Sequence, residues 1–280
     1  MDKILDNEIQ IISIGNELLT GKTLNTNLNW ISKRLTSIGA KVLHAFIVRD
    51  NLEAISNVLN YALSKRTSWI IISGGLGPTF DDMTLDGVAL ALKRNSVQNE
   101  DALKMMQVKY DQMIRLGIIE NFELTDERKK MISLPEGATP IENITGTAPA
   151  VYLKVKDTVI ICLPGVPSEM QNIVDQTVIP MIREIIGDYY FAEGLLRIGK
   201  IIESNLAPLI ADVSSMFPKV YIKSHPRGAE LGESKIELEI TVTTGSKDRS
   251  RKLVNGAIVE MEKRITNAGG EIIYREILYD

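Results

Sequence analysis

The stretch Ser73–Thr84, S-G-G-L-G-P-T-F-D-D-M-T, leaves the chain few ways to fold. It follows Trp69-Ile70-Ile71-Ile72, a short β-branched run without polar alternation, which reads as a strand buried on both faces. Three glycines and a proline then interrupt regular structure. Asp81 and Asp82 precede an apolar-periodic segment, Met83 to Leu92, that reads as a helix. In an open α/β sheet a loop of this kind lies at the carboxyl edge of the strands, where ligands bind. Glycine N–H groups and a helix N-terminus favour a phosphate there. Two carboxylates would repel that phosphate unless a divalent cation lay between them, so the loop points to a phosphorylated ligand with a hard metal such as Mg²⁺. A lone G-G-x-G would be an ordinary βα turn with Asp as an N-cap. Gly, Pro, Thr and two Asp at one turn are far more specific.

Three further loops of the same kind follow or precede apolar strands. Ile9–Ile14 reads as the first strand and runs into Gly15-Asn16-Glu17-Leu18-Leu19-Thr20-Gly21, then Asn25-Thr26-Asn27 and a helical pattern through Leu28, Ile31, Leu35 and Ile38. Asn and Thr at that helix start either cap it or hold the ribose and phosphate of a ligand. Glu17 is a surface acid, a cap, or a member of an acidic metal site with Asp81 and Asp82. Lys41–Val48 is the second strand, and Arg49-Asp50-Asn51 leads into a helix over Leu52–Lys65. The β-α-β-α-β-α alternation predicts a doubly wound, mostly parallel sheet. Helices are expected over Asn99–Leu116 and Leu124–Ile132, and a loop over Pro135–Pro140. Asn143–Ala150 is a small-residue loop feeding Val151–Val155, which the Lys156-Asp157 turn joins to Thr158–Leu163 as an antiparallel pair at a sheet edge. Pro164–Met170 closes the set and opens a helix running to about Ile186. Four such loops at one edge make a composite pocket.

Gly187-Asp188 reads as a boundary, giving domains 1–188 and 189–280. The second is expected as a small β-α-β-β-α-β domain of the α+β class. In it Ile236, Leu238, Ile240 and Val242 alternate with polar residues, the mark of a sheet with one solvated face.

Composition narrows the function. The 280 residues allow one large or two smaller domains. With aromatics at only 5%, the core must come from Ile, Leu, Val and Met. A net charge of −4 argues against a general nucleic-acid surface. Cys162 is the only cysteine, so neither an intramolecular disulfide nor a Cys-rich zinc site is available, and its apolar setting predicts a buried thiol. His44 and His225 have no metal-ligand spacing. The N-terminal segment MDKILDNEIQ lacks an apolar signal core, and no apolar run reaches the ~18 residues of a membrane span, so a cytoplasmic protein is the expectation.

S-I-G-N-E-L-L-T-G at 13–21 with Asn25-Thr26-Asn27, G-G-L-G-P-T-F-D-D-M-T at 74–84, N-I-T-G-T-A-P-A at 143–150 and L-P-G-V-P-S-E-M at 163–170 together resemble the CinA family (competence/damage-inducible protein A). The N-terminal domain of that family belongs to the MoaB/MogA molybdopterin-binding superfamily. E-S-N-L-A at 203–207 and K-S-H-P-R at 223–227 resemble its KH-like middle domain more weakly. The third string usually ends in Gly where this chain has Ala150. Longer members carry a C-terminal nicotinamide mononucleotide deamidase domain; the sequence ends at Asp280, and that activity is not expected of it.

The resemblance implies metal-dependent hydrolysis of the pyrophosphate bond of ADP-ribose, or of a related dinucleotide, to AMP and a sugar phosphate. It implies a divalent Mg, Mn or Co ion on Asp81, Asp82 and Glu17, with one of the aspartates as catalytic base. Ligand contacts are expected from Gly15, Asn16, Glu17, Gly21, Asn25 and Asn27; from Gly74, Gly75, Gly77, Pro78, Thr79 and Thr84; from Gly146 and Thr147; and from Pro164, Gly165, Pro167, Ser168 and Glu169. Thr79 is expected as a hydroxyl donor to the pyrophosphate. A homodimer is the expected assembly, with helix 99–116 as a candidate contact. Two alternatives share the pocket: binding of, or adenylyl transfer to, molybdopterin, and a non-catalytic nucleotide sensor whose second domain recruits a partner. KH modules grip single strands through a GXXG loop. Gly228-Ala229-Glu230-Leu231-Gly232 does not match it, so nucleic acid is not an expected partner.

Overall fold

The computed structural model describes residues 7–227 and 235–279, so the 228–232 stretch lies outside the described residues. The chain forms two compact units, one built from residues up to 35 with 40–186, the other from 36–39 with 187 onward.

The first unit runs β1 (Glu8–Ile14), α1 (Asn16–Leu19), α2 (Thr26–Ser37), β2 (Lys41–Val48), α3 (Leu52–Ser64), β3 (Trp69–Ser73), α4 (Thr84–Leu92), β4 (Ser96–Gln98), α5 (Glu100–Arg115), α6 (Asp126–Ile132), β5 (Ser133–Pro135), β6 (Thr139–Ile141), β7 (Ala150–Val155) and β8 (Thr158–Leu163). It closes with α7 (Pro167–Ile173), a π-helical stretch (Val174–Val178) and α8 (Ile179–Ile186). Its main sheet has the order β2-β1-β3-β8-β7-β6. β2, β1, β3 and β8 are parallel, whereas β7 and β6 are antiparallel additions. This is the expected α/β class with a mostly parallel sheet. β3 lies between β1 and β8, which is why Trp69, Ile70, Ile71 and Ile72 are all buried and the strand shows no polar alternation.

Three local readings change. The Gly15–Gly21 loop contains the single turn α1. The 135–140 loop is flanked by two three-residue strands: β5 pairs with β4 in a separate ladder, and β6 forms the sheet edge beyond β7. The β7–β8 pair is therefore antiparallel as expected but is not the edge. Strands this short carry too few residues for a period to register. The helix after Pro167 is not uniformly α: it passes through the π stretch, which buries Val174 and Val178 while Asp175 pairs with Arg34 of α2 at 2.6 Å.

Strand register sets the site. Ser13 of β1 lies opposite Ser73 of β3, and Ser73 opposite Leu163 of β8, so three carboxyl ends finish together. From β1 the chain crosses to β2 on one side and returns to β3 on the other. That reversal opens the crevice in which doubly wound sheets bind ligands.

The second unit comprises β9 (Tyr190–Gly199), α9 (Glu203–Met216), β10 (Tyr221–Arg227), β11 (Lys235–Thr244), α10 (Lys247–Asn267) and β12 (Glu271–Tyr279). Its antiparallel sheet has the order β10-β11-β9-β12. Ile236, Leu238, Ile240 and Val242 are buried, and so are Val254, Ala257, Ile258, Met261 and Ile265 of α10, at the 3–4 residue spacing of one helix face.

In the first unit α3 and α4 pack closely because Gly87 has no side chain: a Cβ there would lie 2.5 Å from Cγ2 of Ile55, itself wholly buried. Gly87→Val is expected to destabilise by about 1–3 kcal/mol through overpacking. It should appear as a lower urea midpoint at unchanged slope.

Candidate functional site

The carboxyl ends of β1, β3 and β8 open into a cleft of about 420 Å³. Its floor is the glycine loop after β3. Gly74 has φ +105°, and a Cβ on it would lie 2.3 Å from the Ile14 carbonyl oxygen, so only glycine lets the loop cross so near β1. The Gly74 N–H donates to the Leu163 carbonyl at 3.0 Å. Thr84, wholly buried at the first position of α4, donates its hydroxyl to the Gly74 carbonyl at 2.7 Å, and its N–H reaches the Gly75 carbonyl at 3.1 Å. Thr84 therefore braces the loop from behind and lines neither this cleft nor its neighbour.

The acidic pair does not cap α4. Met83 is the capping position and offers no side-chain bond. Asp82 instead accepts the Thr79 N–H at 2.8 Å. The Thr79 hydroxyl oxygen lies 2.5 Å from Oδ1 of Asp81 and 2.6 Å from Oδ2 of Asp82. The hydroxyl has one proton and donates to one of these carboxylates at a time. Thr79, expected as a hydroxyl donor to the phosphates, lines the cleft with its hydroxyl held between the two carboxylates of its own loop. Lys130 of α6 donates to the Thr79 carbonyl and ties down the loop tip. The Thr79 hydroxyl, the backbone and the Lys130 charge hold the Asp81 carboxyl below its ordinary range.

Across the cleft stands Asp50, which sequence reasoning placed only in a turn before α3. It reaches the site because β2 lies beside β1 and both end at the same level, Ile14 opposite Val48. Its carboxylate accepts the Asn16 N–H at 2.7 Å. Partial burial raises its pKa, the Asn16 N–H opposes that, and the charges of Glu17 and Asp81 add to the rise. The only signal in the sequence was an acid two residues after the end of a strand.

The cleft brings together Gly15, Glu17, Gly74, Gly75, Gly77, Pro78, Thr79, Asp81, Asp82, Thr147, Pro164, Gly165 and Glu169. Asn25, Asn27 and Pro167 line an adjoining cavity of about 150 Å³, together with Glu17, Gly74 and Gly165. Asn16, Gly21, Gly146 and Ser168 line neither. Asn16 supplies the backbone donor to Asp50, Gly21 ends a turn at φ +72°, and Ser168 is exposed in the first turn of α7. Gly146 is held by Asn143, a buried residue the sequence reading passed over. Asn143 accepts the Gly146 N–H at 2.9 Å and donates to Glu169 at 2.7 Å and to the Ala148 carbonyl at 2.9 Å.

Among the described residues, no three His, Cys, Asp or Glu side chains form a cluster able to hold a metal, so Glu17, Asp81 and Asp82 are not a ready cage. The donor set still fits Mg²⁺, Mn²⁺ or Co²⁺ in one respect: all are hard oxygens, and a cation such as Mg²⁺ is commonly held by one or two carboxylates and completed by water and substrate phosphates. Cys162 is buried and its thiol is pushed up to about 12, which removes it as a nucleophile. No helix among the described residues is long and apolar enough to cross a membrane.

Residues 10–184 match the family profile whose description is "Probable molybdopterin binding domain", and they contain every loop just described. The chain belongs to the molybdopterin-binding-domain family. Within that family it is CinA-like: it is 38% identical to the protein CinA with unknown function from Thermoplasma acidophilum, with a TM-score of 0.57 over 64% of this chain and 98% of that one. Curated relatives include a Metallosphaera sedula protein, 40% identical over 94% of this chain and 96% of its own length. Another is Protein TV0584 of Thermoplasma volcanium, 39% identical over 90% of this chain and 93% of its own.

Asp50→Asn tests the electrostatics of the family's cleft in this chain, since Asn keeps an oxygen for the Asn16 N–H. A raised pKa means the folded state holds the proton more tightly, so the ionised carboxylate opposes folding above that pKa. The variant should therefore unfold at higher denaturant than the parent at neutral pH. The difference should close below the ordinary aspartate value of about 3.9, where both states are protonated.

Proposed function

We propose that the cleft binds a phosphorylated pterin of the molybdopterin type and that its acidic edge acts on the phosphate, by adenylyl transfer. The carrying observation is the juxtaposition across one cleft of a glycine-only loop at the end of β3 and the carboxylates Asp81, Asp82 and Asp50. Family membership supports the pterin. Backbone donors of Gly75, Leu76 and Gly77 would cradle the phosphates, the Gly74 N–H being already given to the Leu163 carbonyl. A divalent cation on Asp81, with Asp82 or Glu17, would neutralise charge developing on the phosphate oxygens. Thr79 and Lys130 hold Asp81 ionised and in place. Asn143 fixes Glu169 and the 146–148 turn over the opposite side.

One observation favours a second reading, hydrolysis of the pyrophosphate bond of ADP-ribose. Attack by a phosphate, as in adenylyl transfer, uses an oxygen already ionised and needs no base. Attack by water does need one. Asp50 and Asp81 face one cleft with pKa values displaced in opposite directions, the arrangement that separates a base from an ionised partner. In this reading Asp50 takes the proton from water as water attacks phosphorus, and AMP and ribose 5-phosphate separate.

The test is turnover of the full chain with Mg²⁺, Mn²⁺ or Co²⁺, with and without EDTA. Pyrophosphate released from ATP only when molybdopterin is present establishes the first reading. AMP and ribose 5-phosphate from ADP-ribose establish the second. Metal-independent turnover, or none from either substrate, overturns both. Asp81→Asn should lower either activity. Asp50→Asn should cost roughly 10²–10⁴-fold in hydrolysis, as loss of a general base does, and little in adenylyl transfer.

A further inference from the structure

The acidic cleft carries no positive side chain of its own. Glu17, Asp50, Asp81, Asp82 and Glu169 line it, and among the described residues no Lys or Arg does. Lys130 is near Asp81, but its ammonium is given to the Thr79 carbonyl and it lines a separate small cavity. A divalent cation would offset only part of this charge, and phosphates would add to it. The mouth of the cleft differs from its interior. Leu24, Phe80, Ile144 and Val166 stand on four different loops at the carboxyl edge of the sheet. Leu24 and Phe80 are 83% and 87% exposed, and Ile144 and Val166 are at least half exposed. Single exposed apolar side chains are ordinary; one on each loop around the same charged cleft makes an apolar rim.

The complement to that rim lies on the same unit. α5 meets the cleft wall at Lys109, whose ammonium donates to the Ile144 carbonyl at 3.0 Å. Six residues on, about 9 Å along the helix, the chain reaches Arg115-Leu116-Gly117-Ile118. Gly117 has φ +69°, and the Gly117 and Ile118 N–H groups return to the Ile114 and Met113 carbonyls, so the turn is closed on itself and rigid. Leu116 and Ile118 are nevertheless 75% and 64% exposed. Arg115 is exposed beside them and makes no ion pair among the described residues. Two bare apolar side chains next to an unpaired guanidinium form a knob with the chemistry that an acidic cleft with an apolar rim lacks.

We propose that Arg115-Leu116-Gly117-Ile118 of one copy docks on the cleft mouth of a second copy, with Leu116 and Ile118 against the apolar rim and the Arg115 guanidinium directed into the acidic interior, so that the site is completed in trans. Charge complementarity commits the partner to this chain: the basic, apolar knob that the socket calls for is the chain's own. Knob and socket sit on one unit and are joined through Lys109, so two copies can exchange them reciprocally about a two-fold axis. That closes the assembly as a dimer rather than an open chain of copies. A planar guanidinium fork suits carboxylates and phosphates alike. The contact with a bound phosphate rests on the phosphate reading above; the contact with the carboxylates does not.

Sedimentation of the full chain across a concentration series reads the assembly. The parent should be a dimer. Leu116→Ser/Ile118→Ser and Phe80→Ser/Ile144→Ser should each weaken it roughly tenfold or more, as loss of buried apolar contacts does, with unchanged circular dichroism. Cross-linking reads the contact itself. Cys162 is buried and does not interfere. Chains carrying Ile118→Cys and chains carrying Ile144→Cys, mixed under mild oxidation, should give a linked dimer in excess of that from either alone. A parent that stays monomeric at its highest soluble concentration, a dimer indifferent to both double variants, or no excess of mixed cross-link overturns the interface. Calorimetric titration of the linked dimer with inorganic pyrophosphate and Mg²⁺ then reads the guanidinium. Arg115→Ala in both chains should weaken binding roughly tenfold, as loss of a charge-assisted hydrogen bond does. Equal affinity overturns the role of Arg115 in trans. No binding of pyrophosphate by the parent overturns the phosphate reading and leaves the cross-linked interface standing.

Discussion

The approach of Gly74 to the Ile14 carbonyl is the constraint on which the candidate site depends. Any side chain at Gly74 would collide with backbone rather than with a movable group, so no local adjustment relieves it. With that contact made, β1 and β3 end level and their loops face one another. Gly74 then bonds to β8 through the Leu163 carbonyl and to α4 through Thr84. A rigid floor results, in which the backbone is already paired on its inner side. Preorganisation of this kind is what lets a loop hold an anion without reordering when it arrives.

On that floor the protein accepts electrostatic cost. Glu17, Asp50, Asp81 and Asp82 crowd one cleft, and the fold compensates them unequally. Asp81 is favoured as an anion by the Thr79 hydroxyl and Lys130. Asp50 is partly buried and repelled by its neighbours, and one backbone donor offsets only part of this. Local conflicts that a fold retains are expected where a site has work to do rather than in the scaffold. By contrast, the described core of the second unit is apolar and regularly patterned, with Ile236–Val242 and the buried face of α10 in simple register with their periods.

Much of this was legible in residue order. The alternation of β-branched runs with 3–4 residue periods gave the parallel sheet, and Gly-Pro-Asp chemistry located its loops. Four short strings were enough to recognise the family. β4, β5 and β6 were missed because three residues carry no measurable period. The π stretch was missed because its apolar residues continue a helical pattern without a break.

Sequence alone therefore determined what is local: which longer segments are strands, which turns need glycine, and which loops hold acids and amides. Tertiary structure decided what those groups meet. Asp50 became part of the cleft only because β2 pairs with β1. Thr84 came to brace the Gly74 carbonyl because α4 starts beside that loop. Thr79 was drawn into its own loop's carboxylates. Ser13, Asn25 and Asn27 came to share a cavity because β1 ends beside β3 and the Gly165 carbonyl fixes the Asn27 amide. The Asp50 and Asn27 contacts depend on strand order and register between segments far apart in the chain, so no window of local sequence contains both partners. The Thr79 and Thr84 contacts lie within the Ser73–Thr84 stretch, and there the path of the loop, not sequence distance, decides which groups meet.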